Sequence, residues 1–241
     1  MVFDNPDRRN ALTAQMMGQI LAVMEHVAGD DSIRVVALRG AGDAAFVSGA
    51  DISAFGSPSG VDSGPRAAEV MDALTGLAKP VIAALRGWCL GAGVLVALSA
   101  DLRVAGDDLR MGIPAAKLGV AYPREGVERV VSLAGPAVAA EILMTGEPFD
   151  AAGARRAGLV NRVVPAAEVF DEVQRTAEAM AANAPLSLVA AKRTIASVQR
   201  RSDAGAAAAA DSAISACYRS EDFREGRRAF AEKRRPGFSG R

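Results

Sequence analysis

Residues 81–105 constrain this chain more than any other stretch. They are almost continuously apolar, yet Arg86, Asp101 and Arg103 interrupt them and glycines stud them. Three charges at those places disqualify the run as a membrane span and make it the buried core of a folded domain. Val81–Leu85 reads as a buried strand. Gly91-Ala92-Gly93 follows, then an apolar segment over 94–100 that reads as a buried helix, then a short strand over 102–105.

The same alternation holds on either side. Leu12, Met16, Ile20, Val23 and Val27 recur at helical spacing, and Thr13 precedes them as a cap. A β-branched run over 33–38 ends at Gly40. Phe46-Val47 leads into the turn-rich Ser48-Gly49-Ala50-Asp51, and 57–65 reads as a loop of Gly, Ser and Pro. Val70, Leu74 and Leu77 mark a helix ending near Lys79-Pro80. The second half is mostly helical, with helices expected over 125–133, 137–145, 151–157, 166–183, 186–200, 204–218 and 221–233, and a strand over 159–164. Strands alternating with helices imply an α/β domain with parallel strands. No linker divides the chain. The expected organisation is one unit, a core over 1–185 followed by a helical region over 186–241.

Composition narrows the function classes. Lys+Arg and Asp+Glu are both 28, which argues against a strongly basic nucleic-acid binder. Two cysteines, Cys89 and Cys217, make no disulfide framework and lack metal-ligand spacing, so no metal is expected. With a single histidine, His26, a histidine-based triad or zinc site would have to be built on it. The charged N-terminus has no signal-peptide pattern, which points to a cytoplasmic location without membrane attachment. There is no P-loop, no dinucleotide fingerprint and no His-Glu-x-x-His.

Two glycine turns remain, Ser48-Gly49-Ala50-Asp51-Ile52 and Leu90-Gly91-Ala92-Gly93. Each follows a strand, and the second precedes a helix whose N-terminus carries partial positive charge. Taken alone they fit either tight chain reversals or a pair of backbone N–H donors aimed at one oxygen, the arrangement that stabilises charge on a thioester carbonyl.

Six segments occur in order along nearly the whole chain: Asn5-Pro6-Asp7-Arg8-Arg9-Asn10-Ala11-Leu12, Phe46-Val47-Ser48-Gly49-Ala50-Asp51-Ile52, Lys79-Pro80-Val81-Ile82-Ala83-Ala84, Leu90-Gly91-Ala92-Gly93, Ala157-Gly158-Leu159-Val160-Asn161, and the tail Glu225-Gly226-Arg227-Arg228-Ala229-Phe230-Ala231-Glu232-Lys233-Arg234. Together they resemble the crotonase superfamily, the enoyl-CoA hydratase/isomerase family. The resemblance implies a crotonase-like α/β spiral of β-β-α turns with a C-terminal helical trimerisation region. It implies a homotrimer or hexamer and an acyl-CoA thioester as substrate, with no cofactor beyond the CoA carried by that substrate. By motif position, Ala50 and Ala92 would supply the oxyanion-hole N–H groups. Arg8, Ser48, Gly49, Asp51, Ile52 and Ser53 would line the CoA path. Phe230 and Lys233 match tail positions that reach toward acyl-CoA, commonly across subunits.

The chain departs from that pattern where hydratases carry two glutamates; the corresponding residues are Leu95 and Ala115. Adding water to an enoyl thioester needs groups that activate water and deliver a proton, and leucine and alanine do neither. The loop over 117–129 offers Glu125 and Tyr122 as acid–base candidates. Glu125 also fits a helix first turn paired with Arg129. Arg86 and Arg103, beside an apolar run, are expected at a subunit interface. Two readings follow: an acyl-CoA lyase or isomerase that stabilises an enolate without the two-glutamate mechanism, and a non-catalytic acyl-CoA-binding paralogue.

Overall fold

The computed structural model describes residues 1–51, 63–199 and 204–241. Ile52, Ser53 and the first part of the expected 57–65 loop lie outside the described residues, as does Arg200 at the end of an expected helix. By Ser63 the chain is already helical, so α2 begins within the stretch whose composition reads as loop.

Two sheets stand at the centre. The first runs β1 (Val2–Phe3), β2 (Val36–Gly40), β4 (Val81–Leu85), β6 (Leu102–Gly106) and β9 (Arg162–Val164), all parallel. The second runs β3 (Ala45–Val47), β5 (Trp88–Leu90), β7 (Arg110–Gly112) and β8 (Phe149–Asp150), parallel except for its last pair. The chain alternates between them. β2 passes to β3 and then to helix α2 (Ser63–Gly76). β4 passes to β5 and then α3 (Ala92–Ser99). β6 passes to β7 and then α4 (Arg124–Ala140). This is a spiral of β-β-α turns, as the resemblance implies.

β4 shows why the central run is so apolar. Val81, Ala83 and Leu85 face a core shared with Leu38, Cys89, Val94 and Leu98. Ile82 and Ala84 face the other way, with Val104, against Val169 and Val173 of α6 (Val169–Ala181). A parallel strand covered on both faces has no position to spare for a polar side chain. Each large aliphatic side chain so buried contributes about 1.5–3 kcal/mol.

Several expectations shift when packing is known. Helix α1 (Ala14–Gly29) starts after Leu12, and Thr13 Oγ1 accepts from Met16 N–H at 3.1 Å, so the cap is where expected. Its buried face is Met17, Ile20, Met24 and Val27, while Val23 is exposed. β2 begins at Val36 rather than 33, because its partner β4 begins opposite it at Val81. β9 begins at Arg162 rather than 159: Asn161 N–H still donates to Arg103 O, but its side chain takes the Arg103 N–H and Leu159 O accepts from Arg103 Nε, so side chains stand in for part of the strand pairing. α4 is broken at Gly135 (φ 82°), which accounts for the two helices expected over 125–133 and 137–145.

Arg103 is buried inside the chain rather than at a subunit interface, and Arg86 is engaged by two carboxylates of its own chain. Arg103 is 3 % exposed and donates to Leu159 O and Ala100 O, and burial brings its pKa down to about 10. Arg86 pairs with Asp43 at 2.6 Å and Asp108 at 3.5 Å.

The remaining helices are α5 (Ala151–Arg156), α7 (Pro185–Gln199), α8 (Ala204–Arg219) and α9 (Glu221–Glu232). α7 packs along α8 and is tied to the core by Lys192, whose Nζ donates to Asp101 at 2.8 Å and Lys79 O at 3.1 Å. Among the described residues no helix is long and apolar enough to cross a membrane.

Candidate active site

The first glycine turn leaves β3 and lies against residues 9–12. Ser48 N–H donates to Arg9 O (3.1 Å), Leu12 N–H to Gly49 O (2.8 Å), and Asp51 N–H to Leu12 O (2.9 Å). Ser48 Oγ adds a bond to Arg8 O at 3.1 Å, and the Arg8 guanidinium meets Asp51 at 2.6 Å. These bonds use the peptides on either side of Ala50 but not its own N–H, which has no acceptor among the described residues.

Asn10 holds this N-terminal segment down. It is 1 % exposed, donates to Ala41 O (3.0 Å) and Ala45 O (2.8 Å), and its Oδ1 accepts from Asn5 N–H (3.1 Å). The sequence reading gave Asn10 no role beyond its motif. It follows Asp7-Arg8-Arg9 in the sequence, so nothing in its local pattern marks it as buried.

The second turn leaves β5. Gly91 N–H extends the β5–β7 pairing by donating to Gly112 O at 3.0 Å. Gly91 then adopts φ 50°, ψ −114°, a conformation that residues bearing a Cβ avoid, and α3 begins at Ala92. Ala92 N–H is one of the orphan donors of that helix and has no acceptor among the described residues. The positive end of the helix lies at the same point.

Close backbone packing brings the turns together. A Cβ placed on Gly91 would lie 3.9 Å from Gly49 Cα, and one on Gly49 would lie 3.6 Å from Leu90 O. A Cβ on Gly93 would fall 2.1 Å from Val47 O, so the first turn of α3 rests directly on the end of β3. Ala50 and Ala92 are each partly exposed.

The acid–base candidates sit differently. Leu95 is buried, Ala115 is partly buried, and Tyr122 packs against the same core. A Cβ on Gly126 would lie 2.5 Å from Leu95 Cδ2 and 2.8 Å from Tyr122 Cε1, so these three residues are in tight contact. The Tyr122 hydroxyl donates to Gly91 O at 3.0 Å. Burial, and secondarily Cys89, raises its pKa well above the usual phenol range. Glu125 is exposed in the first turn of α4. It makes no pair with Arg129, which instead donates to Leu98 O and Gln199; the neighbouring i,i+4 pair is Arg124–Glu128. Phe230 is 88 % exposed on α9, and Lys233 ends that helix at φ 52°. Within one chain this tail helix packs on α8 and on residues near the C-terminus rather than on the two glycine turns. His26 is exposed on α1, 3.9 Å from Asp30. Among the described residues no three His, Cys, Asp or Glu side chains are grouped to hold a metal.

A two-sheet α/β spiral, with two glycine turns meeting where a buried helix begins, defines a class of fold. The comparisons with known proteins name it. The family model described as Enoyl-CoA hydratase/isomerase matches residues 1–241, and the chain belongs to that family. A carnitinyl-CoA dehydratase from Proteus mirabilis is 34% identical over 247 residues, covering 100% of this chain and 94% of the relative. A short-chain-enoyl-CoA hydratase from Clostridium acetobutylicum is 32% identical over 245 residues with the same coverage. Among solved structures, an enoyl-CoA hydratase/carnithine racemase from Magnetospirillum magneticum superposes with a TM-score of 0.91 at 34% identity, covering 100% of this chain and 91% of the other. An enoyl-CoA hydratase from Bacillus anthracis gives 0.93 at 27% identity, with 100% and 94% covered.

Proposed function

We propose that this chain is an enzyme acting on acyl-CoA thioesters, in which Ala50 N–H and Ala92 N–H bind the thioester oxygen and stabilise the enolate formed there. The observation that carries this reading is the pairing of two N–H groups that have no acceptor among the described residues, on turns packed against each other, one at the positive end of a helix. Family membership and the activities named for the relatives support the substrate class. Arg8, Ser48, Gly49 and Asp51 would line the start of the CoA path, and Ile52 and Ser53 would continue it. Phe230 and Lys233 would serve the site of a neighbouring copy in a trimer, which suits an exposed phenylalanine.

The proton chemistry cannot be the paired-carboxylate kind, because Leu95 and Ala115 hold no proton. Of the two acid–base candidates, Tyr122 directs its proton at Gly91 O, so we assign proton transfer to Glu125, exposed in the first turn of α4. Hydration of crotonyl-CoA should therefore be slower than in a two-glutamate relative by roughly 10² or more per missing group.

The deciding experiment is a mass-spectrometric turnover screen of the purified protein against short, branched, aromatic and malonyl-type CoA thioesters, beside Glu125→Gln. A product that disappears in Glu125→Gln supports the reading. Rapid crotonyl-CoA hydration untouched by that variant would sink the account of the proton carrier. The second reading, a non-catalytic acyl-CoA binder, draws on the packing of Leu95 against Tyr122 and the outward placement of Glu125. Thioesters that bind without any conversion would favour it.

A further inference from the structure

The Gly91 carbonyl accepts three hydrogen bonds. Val94 N–H (3.0 Å) and Leu95 N–H (3.4 Å) come from the first turn of α3. The third comes from the Tyr122 hydroxyl at 3.0 Å, 31 residues further along the chain. This carbonyl belongs to the Gly91–Ala92 peptide, the peptide whose N–H faces the proposed substrate oxygen. In a planar trans peptide the C=O and N–H point in opposite directions, so whatever fixes one fixes the other. Gly91 has little intrinsic preference to hold φ 50°, ψ −114°. The Tyr122 ring is itself held by Gly126 and Leu95, so its hydroxyl is a rigid donor.

We propose that Tyr122 is a positioning residue: its hydroxyl locks the Gly91–Ala92 peptide in the orientation that presents Ala92 N–H to the thioester oxygen, and polarises that N–H through the same peptide. A carbonyl that accepts a further hydrogen bond draws electron density from its nitrogen and makes the attached N–H a better donor; chains of this kind strengthen by roughly 10–30 % per bond. Tyr122 thus acts through a backbone group and keeps its own proton. The packing of Leu95 against it gains a purpose, since a glutamate there would compete for the hydroxyl. The inference rests on the oxyanion reading of Ala50 and Ala92 and adds to it a side chain that tunes one of the donors.

The test uses the full chain and [1-13C]butyryl-CoA, a saturated thioester with no double bond to hydrate. Its carbonyl 13C shift reports polarisation of the bound C=O. In the wild type the resonance should move downfield on binding. Tyr122→Phe keeps the ring contacts, so affinity should stay within about fivefold, the equivalent of about 1 kcal/mol for one hydrogen bond. Its downfield shift should shrink by roughly 10–30 % or more. A second arm makes the donor stronger. The chain has two tyrosines, and Tyr218 is exposed on α8. Growing Tyr218→Phe on 3-fluorotyrosine therefore places one more acidic phenol, at Tyr122, and the downfield shift should increase. A purely space-filling tyrosine would not move the two arms in opposite directions. If the wild type fails to bind butyryl-CoA, or binds it with no downfield shift, the oxyanion reading itself falls and this inference with it. If the wild type shows the shift and neither arm changes it, the oxyanion reading stands and the role given to Tyr122 is overturned. Should Tyr122→Phe unfold, the fluorotyrosine arm decides alone.

Discussion

Replacing Gly93 by alanine should damage stability and site together. The added Cβ would fall 2.1 Å from Val47 O and 2.9 Å from both Val47 C and Val47 Cβ. Reaching an ordinary 3.4 Å contact requires a separation of about 1.3 Å. The obstacle is the backbone of β3 rather than a flexible side chain, and Val47 is wholly buried. α3 cannot retreat either, because it is buried from Gly93 to Ser99. Overpacking of this kind costs about 1–3 kcal/mol, and two immovable partners place it near 3. For a chain of this size that is a fall in Tm of roughly 6–12 °C. The displaced unit carries Ala92 N–H, and a misplacement of about 1 Å in a reacting geometry costs on the order of 10² in rate. The assays are thermal melting by circular dichroism and the carbonyl 13C shift of bound butyryl-CoA. Gly76→Ala is the control: it lies at the end of α2, where a Cβ meets nothing within 4 Å, and should be neutral or slightly stabilising. A Gly93→Ala protein with unchanged Tm and an unchanged bound-carbonyl shift would refute the claim that the two turns are held together by backbone contact at this glycine.

Three further outcomes follow from the same structure. Asn10→Leu strands the Ala41 and Ala45 carbonyls and the Asn5 N–H, and should lower unfolding free energy by about 3 kcal/mol in urea titrations. Cys89 is fully buried and its thiol pKa is pushed up by burial, whereas Cys217 is partly exposed, so iodoacetamide should label the native protein at Cys217 and reach Cys89 only on unfolding, as read by peptide mass. Glu225 binds Arg234, Arg228 and Gly237 N–H, which together hold its pKa far below the ordinary 4.5. A depressed folded-state pKa gives stability that is present above the unfolded value and lost as pH falls through the folded one. The Tm gap between wild type and Glu225→Gln should accordingly be constant near neutrality and narrow as pH drops below about 4.5.

The legible parts of the sequence were those whose pattern is set by local geometry. β4 is continuous because both its faces are covered, and Thr13 caps α1 because a hydroxyl there reaches an orphan N–H three residues on. The second sheet was not legible. β5, β7 and β8 are two or three residues long, too short for any period to show; β5 and β7 exist because the chain crosses from one sheet to the other after β4 and after β6, and β8 because it returns to pair with β7 before α5. Both glycine turns could be found from residue type, but their adjacency could not, since it depends on Gly93 accepting the backbone of β3 from 46 residues earlier.

Tyr122 shows the same divide in the chemistry. Its residue type made it an acid–base candidate, yet the structure gives its hydroxyl to Gly91 O, a partner that only the crossing of α4 over the start of α3 could supply. The loss of carboxylates at Leu95 and Ala115 is equally readable from the sequence, but its consequence is spatial. A charged side chain at Leu95 would be desolvated against the Tyr122 ring and Gly126, a costly placement without a partner. The apolar residue at 95 and the tyrosine at 122 are therefore mutually consistent: one leaves the hydroxyl free of a competing acceptor, and the other directs it at the peptide that bears Ala92 N–H. With Leu95 and Tyr122 packed together, the buried side of this turn holds no carboxylate, and what it offers is a tyrosine hydroxyl bonded to the peptide that carries Ala92 N–H.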